Sequence, residues 1–262
     1  MINLRTIIVL YIIVQVMVYL FLPWKGLFFS VITLLLLVHL IYSSFNICSQ
    51  AYIKTLCKAE TTEKKIALTF DDGPNEYTLE VLKILDKHDI KATFFCIGKN
   101  IENNKGILKE IDHKGHLIGN HSWSHHKWFA FFSAKRMKED IVKNAEMIFQ
   151  QTGKQVKLFR PPYGVTNPPL KKAIKNLNYH AIGWSLRSLD TVKRPEKVIQ
   201  KLNQKVAPGD IILLHDNRKE ITEILESFIT LAKKKSFQIV RLDELINIKP
   251  YETFMLKNKK LN

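Results

Sequence analysis

The chain has 262 residues, 46% of them hydrophobic, and a formal net charge of +16 from 40 Lys and Arg against 24 Asp and Glu. That length supplies one sizeable core plus an appendage. The basic excess is scattered Lys, with runs such as Lys233-Lys234-Lys235 and Lys257 to Lys260; no aromatic-interleaved stripe or nucleic-acid motif accompanies it, which excludes nucleic acid as a partner and leaves a solvated surface or attraction to anionic lipid or glycan.

The apolar residues are unevenly placed. Residues 6–22 and 26–42 carry no formal charge. Each approaches the ~20 residues that a spanning helix needs. Only Pro23, Trp24 and Lys25 separate them, which suits a tight turn at an interface. The expectation is a transmembrane helical hairpin over residues 1–45, then a polar connector over 46–64. A signal peptide fits less well, because the apolar region is long and lacks a small-residue cleavage site. A buried soluble hairpin is the bland alternative. Arg5, Lys54 and Lys58 outnumber Lys25, so the positive-inside rule leans towards a cytoplasmic domain. Cys96 sits in an apolar run and reads as core, whereas the spacing of Cys48 and Cys57 leaves a bridge open without requiring one.

From residue 65 the pattern alternates between strand-like and helix-like stretches. Strands are expected at 65–70, 92–97, 116–118, 156–159, 179–184, 210–214 and 237–240. Helices are expected at 78–87, 101–113, 169–177, 221–234 and 242–248, with one from Ser133 as cap to a stop at Gly153 and one opened by Pro195. Seven such units imply an α/β fold, an irregular (β/α) barrel of about seven parallel strands over residues 65–248. A basic tail fills 249–262.

The unusual polar residues each follow a strand: Asp71-Asp72, His121, Arg160, Asp190 and His215. In a barrel those ends share one face. Two adjacent carboxylates repel, so a cation or a shared proton is expected between them. With a metal on one Asp, the other is free to act as a base. His121 and His125 stand at i and i+4; on a helical turn they face the same way, near enough to grip one metal. With one Asp they make a two-His, one-carboxylate set. Zinc fits it, and cobalt, nickel or iron also bind such sets.

These segments resemble the polysaccharide deacetylase family, metal-dependent hydrolases of acetylated glycans, over about residues 65–248. Thr69-Phe70-Asp71-Asp72-Gly73-Pro74 resembles the first motif, implying Asp71 as catalytic base and Asp72 as metal ligand. His121-Ser122-Trp123-Ser124-His125 resembles the second, implying both histidines as ligands. In Arg160-Pro161-Pro162-Tyr163-Gly164 the resemblance implies Arg160 as orienter of the base, with Pro161 and Tyr163 on the substrate side and the Tyr163 N–H towards the oxyanion. Leu213-Leu214-His215-Asp216 resembles the fifth, implying His215 as general acid and Leu213 as a wall of the methyl pocket. The fourth departs: Arg187-Ser188-Leu189-Asp190-Thr191 keeps Asp190, which can hold His215 protonated, but has Arg and Thr where many members carry Asp and Trp.

The resemblance implies a membrane-anchored hydrolase that removes N-acetyl, or O-acetyl, groups from a glycan such as peptidoglycan or a chitin-like oligosaccharide. Its expected partners are the acetylated glycan and, through the hairpin, membrane lipid. A wall glycan requires the domain on the extracytoplasmic side, against the charge count. Two other readings stand beside it: a deacylase of a lipid-linked sugar, and a non-catalytic glycan-binding membrane protein.

Overall fold

A computed structural model describes residues 4–21 and 24–252. The turn residue Pro23 and the tail beyond residue 252, with its Lys257 to Lys260 run, lie outside the described residues. Two apolar helices, α1 (Leu4–Phe21) and α2 (Lys25–Phe45), open the chain. By length and composition each is able to cross a membrane, as an anchor does and as a signal sequence also does. They lie side by side, and Thr33 joins them through the Tyr11 hydroxyl at 3.0 Å and the Gln15 amide at 3.3 Å. Pairing polar groups inside the hairpin leaves an almost wholly apolar outer surface.

The rest is an open (β/α) barrel. Its strands are β1 (Thr55–Leu56), β2 (Lys65–Asp71), β3 (Thr93–Cys96), β4 (Leu117–Asn120), β5 (Leu158–Phe159), β6 (His180–Ile182), β7 (Leu186–Arg187), β8 (Ile211–His215) and β9 (Gln238–Ile239). The order is β1-β6-β5-β4-β3-β2-β8-β7, with β9 also on β2, and every strand pair is parallel. Between β6 and β7 the chain crosses the open side: the Gly183 N–H donates to Leu56 O and the Ser185 N–H to Ile211 O. β2 is buried from Ile66 onward, as a central parallel strand covered on both faces must be.

The α-helices that follow are α3 (Glu76–Lys87), α4 (Gly98–Asn103), α5 (Ile107–His113), α6 (Ala134–Thr152), α7 (Pro168–Ile174), α8 (Pro195–Lys205), α9 (Ile221–Lys234) and α10 (Leu242–Ile246). Their ends follow local chemistry. Asn75 and Thr78 form a capping box on α3. Ser133 accepts the Arg136 N–H to start α6, and Gly153 stops it in the left-handed region. Met137, Ile141, Asn144 and Ile148 form the buried stripe of α6. The main core joins Ile66, Leu68 and Phe70 of β2 to Leu82 of α3 and Phe228 of α9.

Three expectations are corrected. The single helix over 101–113 is two, α4 and α5, separated around Gly106 at φ +95°. β7 was not expected; two residues are too few to show a period. The polar connector is not loose: Ile47, Ala51, Tyr52 and Ile53 are buried, β1 pairs with β6, and Cys48 and Cys57 form a disulfide. A Cβ on Gly183 would come within 2.4 Å of Cys57 Sγ, so glycine is what lets this bridge lie against the sheet. Replacing Cys48 and Cys57 together by Ser should cost about 2–3 kcal/mol, the value expected for so short a loop, and lower the midpoint of thermal unfolding.

Candidate metal and acid–base site

Parallel register decides where the site falls. Asp71 at the end of β2 lies opposite His215 of β8. Asn120 at the end of β4 lies opposite both Cys96 of β3 and Phe159 of β5. His121 and Arg160 are the next residues in their chains, so four strands deliver their polar ends at one level.

Arg160 is fully buried inside the barrel, and its guanidinium makes four hydrogen bonds. Nη1 donates to Asp71 Oδ1 at 2.7 Å and to Thr69 Oγ1 at 2.8 Å. Nη2 donates to Gly183 O at 2.8 Å and Nε to Ile182 O at 3.2 Å. Its plane lies 4.1 Å from the Phe95 ring centroid. Burial alone would raise the Asp71 pKa; the charges of Arg160, His121 and His215 and the Arg160 hydrogen bond outweigh it, holding the carboxyl below its ordinary value.

Asp72 leaves the strand at φ +75°, in the left-handed region that few side chains tolerate. The Asn100 amide fixes its carbonyl at 2.7 Å and the Asn217 amide fixes Oδ2 at 3.0 Å. Oδ1 then stands 3.7 Å from His121 Nε2 and 3.5 Å from His125 Nε2. His121 Nδ1 donates to the Arg160 carbonyl at 2.8 Å, which leaves the Nε2 lone pair facing Asp72.

The two histidines do not share a helical turn. Ser122 and His125 both have positive φ, 64° and 41°, and the segment is a loop. Side chains replace the missing helix: Asn120 Oδ1 accepts the Ser122 N–H, Asp140 Oδ1 accepts the Trp123 and Ser124 N–H groups, and Ser122 Oγ accepts the His125 N–H. Asp72, His121 and His125 nevertheless offer ligand atoms all within 4.8 Å of one another. Tetrahedral zinc with bonds of roughly 2.0–2.1 Å wants ligand atoms about 3.3 Å apart, so the Asp72–histidine distances suit one ion. Burial, and next to it the repulsion that a second imidazolium beside His121 would meet, push His125 down to about 4, which keeps the neutral, ligating imidazole. Two imidazoles and one carboxylate, with room beside them, fit a divalent transition metal.

His215 donates from Nδ1 to Asp190 Oδ1 at 2.8 Å, and its backbone N–H donates to Oδ2 at 2.7 Å. Ser188 Oγ donates to the same Oδ1 at 2.8 Å. Burial would lower the His215 pKa; the hydrogen bond and charge of Asp190, with Asp71 and Asp72, outweigh it and lift the value to about 9. Imidazolium is thus its resting form at neutral pH.

These groups line a cleft of about 160 Å³, walled by Tyr163, Trp184, Arg187, Thr191 and Leu213. Tyr163 is half-exposed at φ 59°, and its ring packs on His125 at 4.6 Å. Pro161 is buried and is not among the lining residues. Trp184, Asn217, Ser188 and Thr69 were not singled out from the sequence. Only Thr69 and Ser188, inside the quoted motifs, carried a signal. A larger apolar hollow of about 480 Å³ beside α6 has one carboxylate, Glu146, and no histidine, so volume does not mark the site.

The molecule is therefore a parallel (β/α) half-barrel with a two-histidine, one-carboxylate cleft at its strand ends. A family model described as polysaccharide deacetylase matches residues 58–182. Over 186 residues the chain is 35% identical to the peptidoglycan-N-acetylglucosamine deacetylase PgdA of Listeria monocytogenes, covering 70% of this chain and 39% of that protein. Over 192 residues it is 34% identical to the peptidoglycan-N-acetylmuramic acid deacetylase PdaA of Bacillus subtilis, covering 71% and 73%. Among solved structures, a mutant of a CE4 family pseudoenzyme from Bacillus anthracis, with restored enzymatic activity, matches at TM-score 0.68 and 30% identity, covering 73% of this chain and 71% of that one. The chain belongs to the polysaccharide deacetylase family.

Arg160→Met leaves Asp71 buried without its cation and should cost about 3–5 kcal/mol in urea unfolding. The sign with pH follows from the depressed Asp71 value: the pair's contribution is complete above the ordinary carboxylate pKa and is lost as pH falls through the folded one. Arg160→Met should therefore flatten the acid side of the stability profile.

Proposed function

We propose that the chain is a metal-dependent deacetylase that removes N-acetyl groups from peptidoglycan, held at the membrane by its N-terminal hairpin. The observation that carries this reading is the meeting of Asp72, His121 and His125 within ligand distance, with Asp71 and His215 on the same cleft. The similarity to two peptidoglycan deacetylases favours peptidoglycan among acetylated glycans.

A divalent ion on Asp72, His121 and His125, zinc by preference, supplies Lewis acidity and a more acidic water when bound. Asp71, kept anionic by Arg160, takes the proton of the attacking water. His215, kept cationic by Asp190, gives its proton to the departing sugar amine. Leu213, buried at the wall, offers an apolar surface to the acetyl methyl group. Tyr163 and Trp184 supply aromatic surface to the sugar beside it. The non-catalytic reading loses support because Asp71 is paired with Arg160 and His215 with Asp190. The lipid-linked reading gains one observation: the Thr166 N–H, just beyond Tyr163, donates to Ser44 O at the end of α2, which puts the cleft wall beside the hairpin.

We place the domain on the extracytoplasmic side. A disulfide between Cys48 and Cys57 persists in an oxidising compartment and outweighs the small excess of Arg5, Lys54 and Lys58 over Lys25. External protease should cut the domain in intact cells; full protection would reverse the placement.

Zinc-reconstituted protein should release acetate from peptidoglycan fragments, and Asp72→Ala and His121→Ala should lose both bound zinc and activity. Full activity in either variant would sink the assignment. The rate should fall as pH rises through about 9, where His215 loses its proton. Asp190→Asn removes the hydrogen-bonded carboxylate and should move that alkaline limb to lower pH.

A further inference from the structure

We infer that the loop between His125 and α6 is a membrane-docking edge, which seats the domain on an anionic bilayer surface with its cleft beside the lipid. Trp128 and Phe131 are 55% and 81% exposed, and their rings pair edge-on at 5.7 Å. Between and after them, Phe129 and Phe132 are buried. The loop is therefore anchored by two aromatics and presents two others outward. Exposed large aromatics in a pair are costly in water and are at home in the interfacial belt of a membrane.

The occupant is fixed by what adjoins the loop. Phe129 and Phe132 belong to one apolar cluster with Ala51, Tyr52 and Ile53, and Leu4 at the start of α1 packs on that same cluster. The Tyr52 hydroxyl donates to Leu40 O near the end of α2 at 3.1 Å. Both hairpin ends thus enter the domain at the patch that the loop caps. A bilayer around the hairpin continues directly onto Trp128 and Phe131. Each contributing segment carries an exposed cation: Arg5, Lys54, Lys127 and Arg136. Together they give the charge complement of an anionic lipid surface. His125 of the cleft stands three residues before Trp128, and Thr166 ties the rim to α2, so docking this edge brings the cleft close to the headgroups. The chemical class favoured is an acetylated sugar still attached to lipid, or glycan lying next to the membrane.

The inference rests on the hairpin and deacetylase readings, and the test separates them. The full chain is reconstituted into vesicles of equal parts phosphatidylcholine and phosphatidylglycerol, brominated near the headgroup. Retention after alkaline carbonate washing tests the hairpin; loss from the vesicles overturns docking along with it. Acetate release from a soluble N-acetylated oligosaccharide tests the deacetylase. The Trp128 emission, taken as wild type minus Trp128→Phe, should be blue-shifted and quenched by the bromine. Trp128→Ser with Phe131→Ser should lose roughly tenfold in rate on a vesicle-borne acetylated glycolipid, with the rate on the soluble oligosaccharide unchanged. Retained protein with unquenched Trp128 emission overturns the inference. So does a raised KM for the soluble oligosaccharide in the double variant, which would make the pair a sugar platform.

Discussion

The structure turns on one buried ion pair, Arg160 with Asp71, at the centre of the barrel. An uncompensated carboxylate could not be placed there, and a guanidinium without acceptors could not either. Arg160 satisfies Asp71, Thr69 and the two carbonyls at the β6 end, and its own carbonyl orients His121. One residue therefore joins the proposed base, the candidate metal ligands and the strand that bridges the open side. The short strands around it are held at a common level by parallel register, and the pair is what makes that level chemically useful.

Around this centre, each charged group has a partner that sets its state. Asp190 balances His215, and Asn217 leaves only one oxygen of Asp72 turned to the histidines. Asp216, next to His215, is a further buried carboxyl. Burial and the nearby Asp72 charge raise it to about 7, while Thr78 donates to its Oδ2 at 2.6 Å. It packs against Gly73, where a Cβ would lie 2.5 Å from that oxygen, so only glycine lets the acidic turn close over it. Asp71 and Asp72, neighbours in the chain, thus have different partners: the Arg160 guanidinium for one, the Asn217 amide and the two histidines for the other.

Much of this was legible in the residues. Apolar runs ending in Asp71, in His121 after Gly119-Asn120, and in His215 marked strand ends, because a parallel strand covered on both faces must be continuously apolar. Caps at Ser133 and Pro195 and the stop at Gly153 placed helices to within a residue or two. The His121–His125 spacing pointed to two side chains that do meet beside Asp72, but through the wrong local geometry. A loop stapled by Asn120 and Asp140 did what a helical turn would have done. Residues 46–64 read as connector because their polar, short-period composition hides a two-residue strand whose stability comes from β6 and the disulfide rather than from its own propensity.

By itself the sequence determined the alternation of strand and helix, the apolar hairpin and the residue types able to do acid–base and metal chemistry, since these follow from periodicity and side-chain pKa. Only the tertiary structure decided how His121 and His125 are turned towards one carboxylate oxygen, that Arg160 is buried rather than a surface ion pair, and that Asn217 holds Asp72 while Trp184 walls the cleft. Those outcomes depend on strand register and on which backbone carbonyls lie within reach of a side chain, and both are set by contacts between residues far apart in the chain.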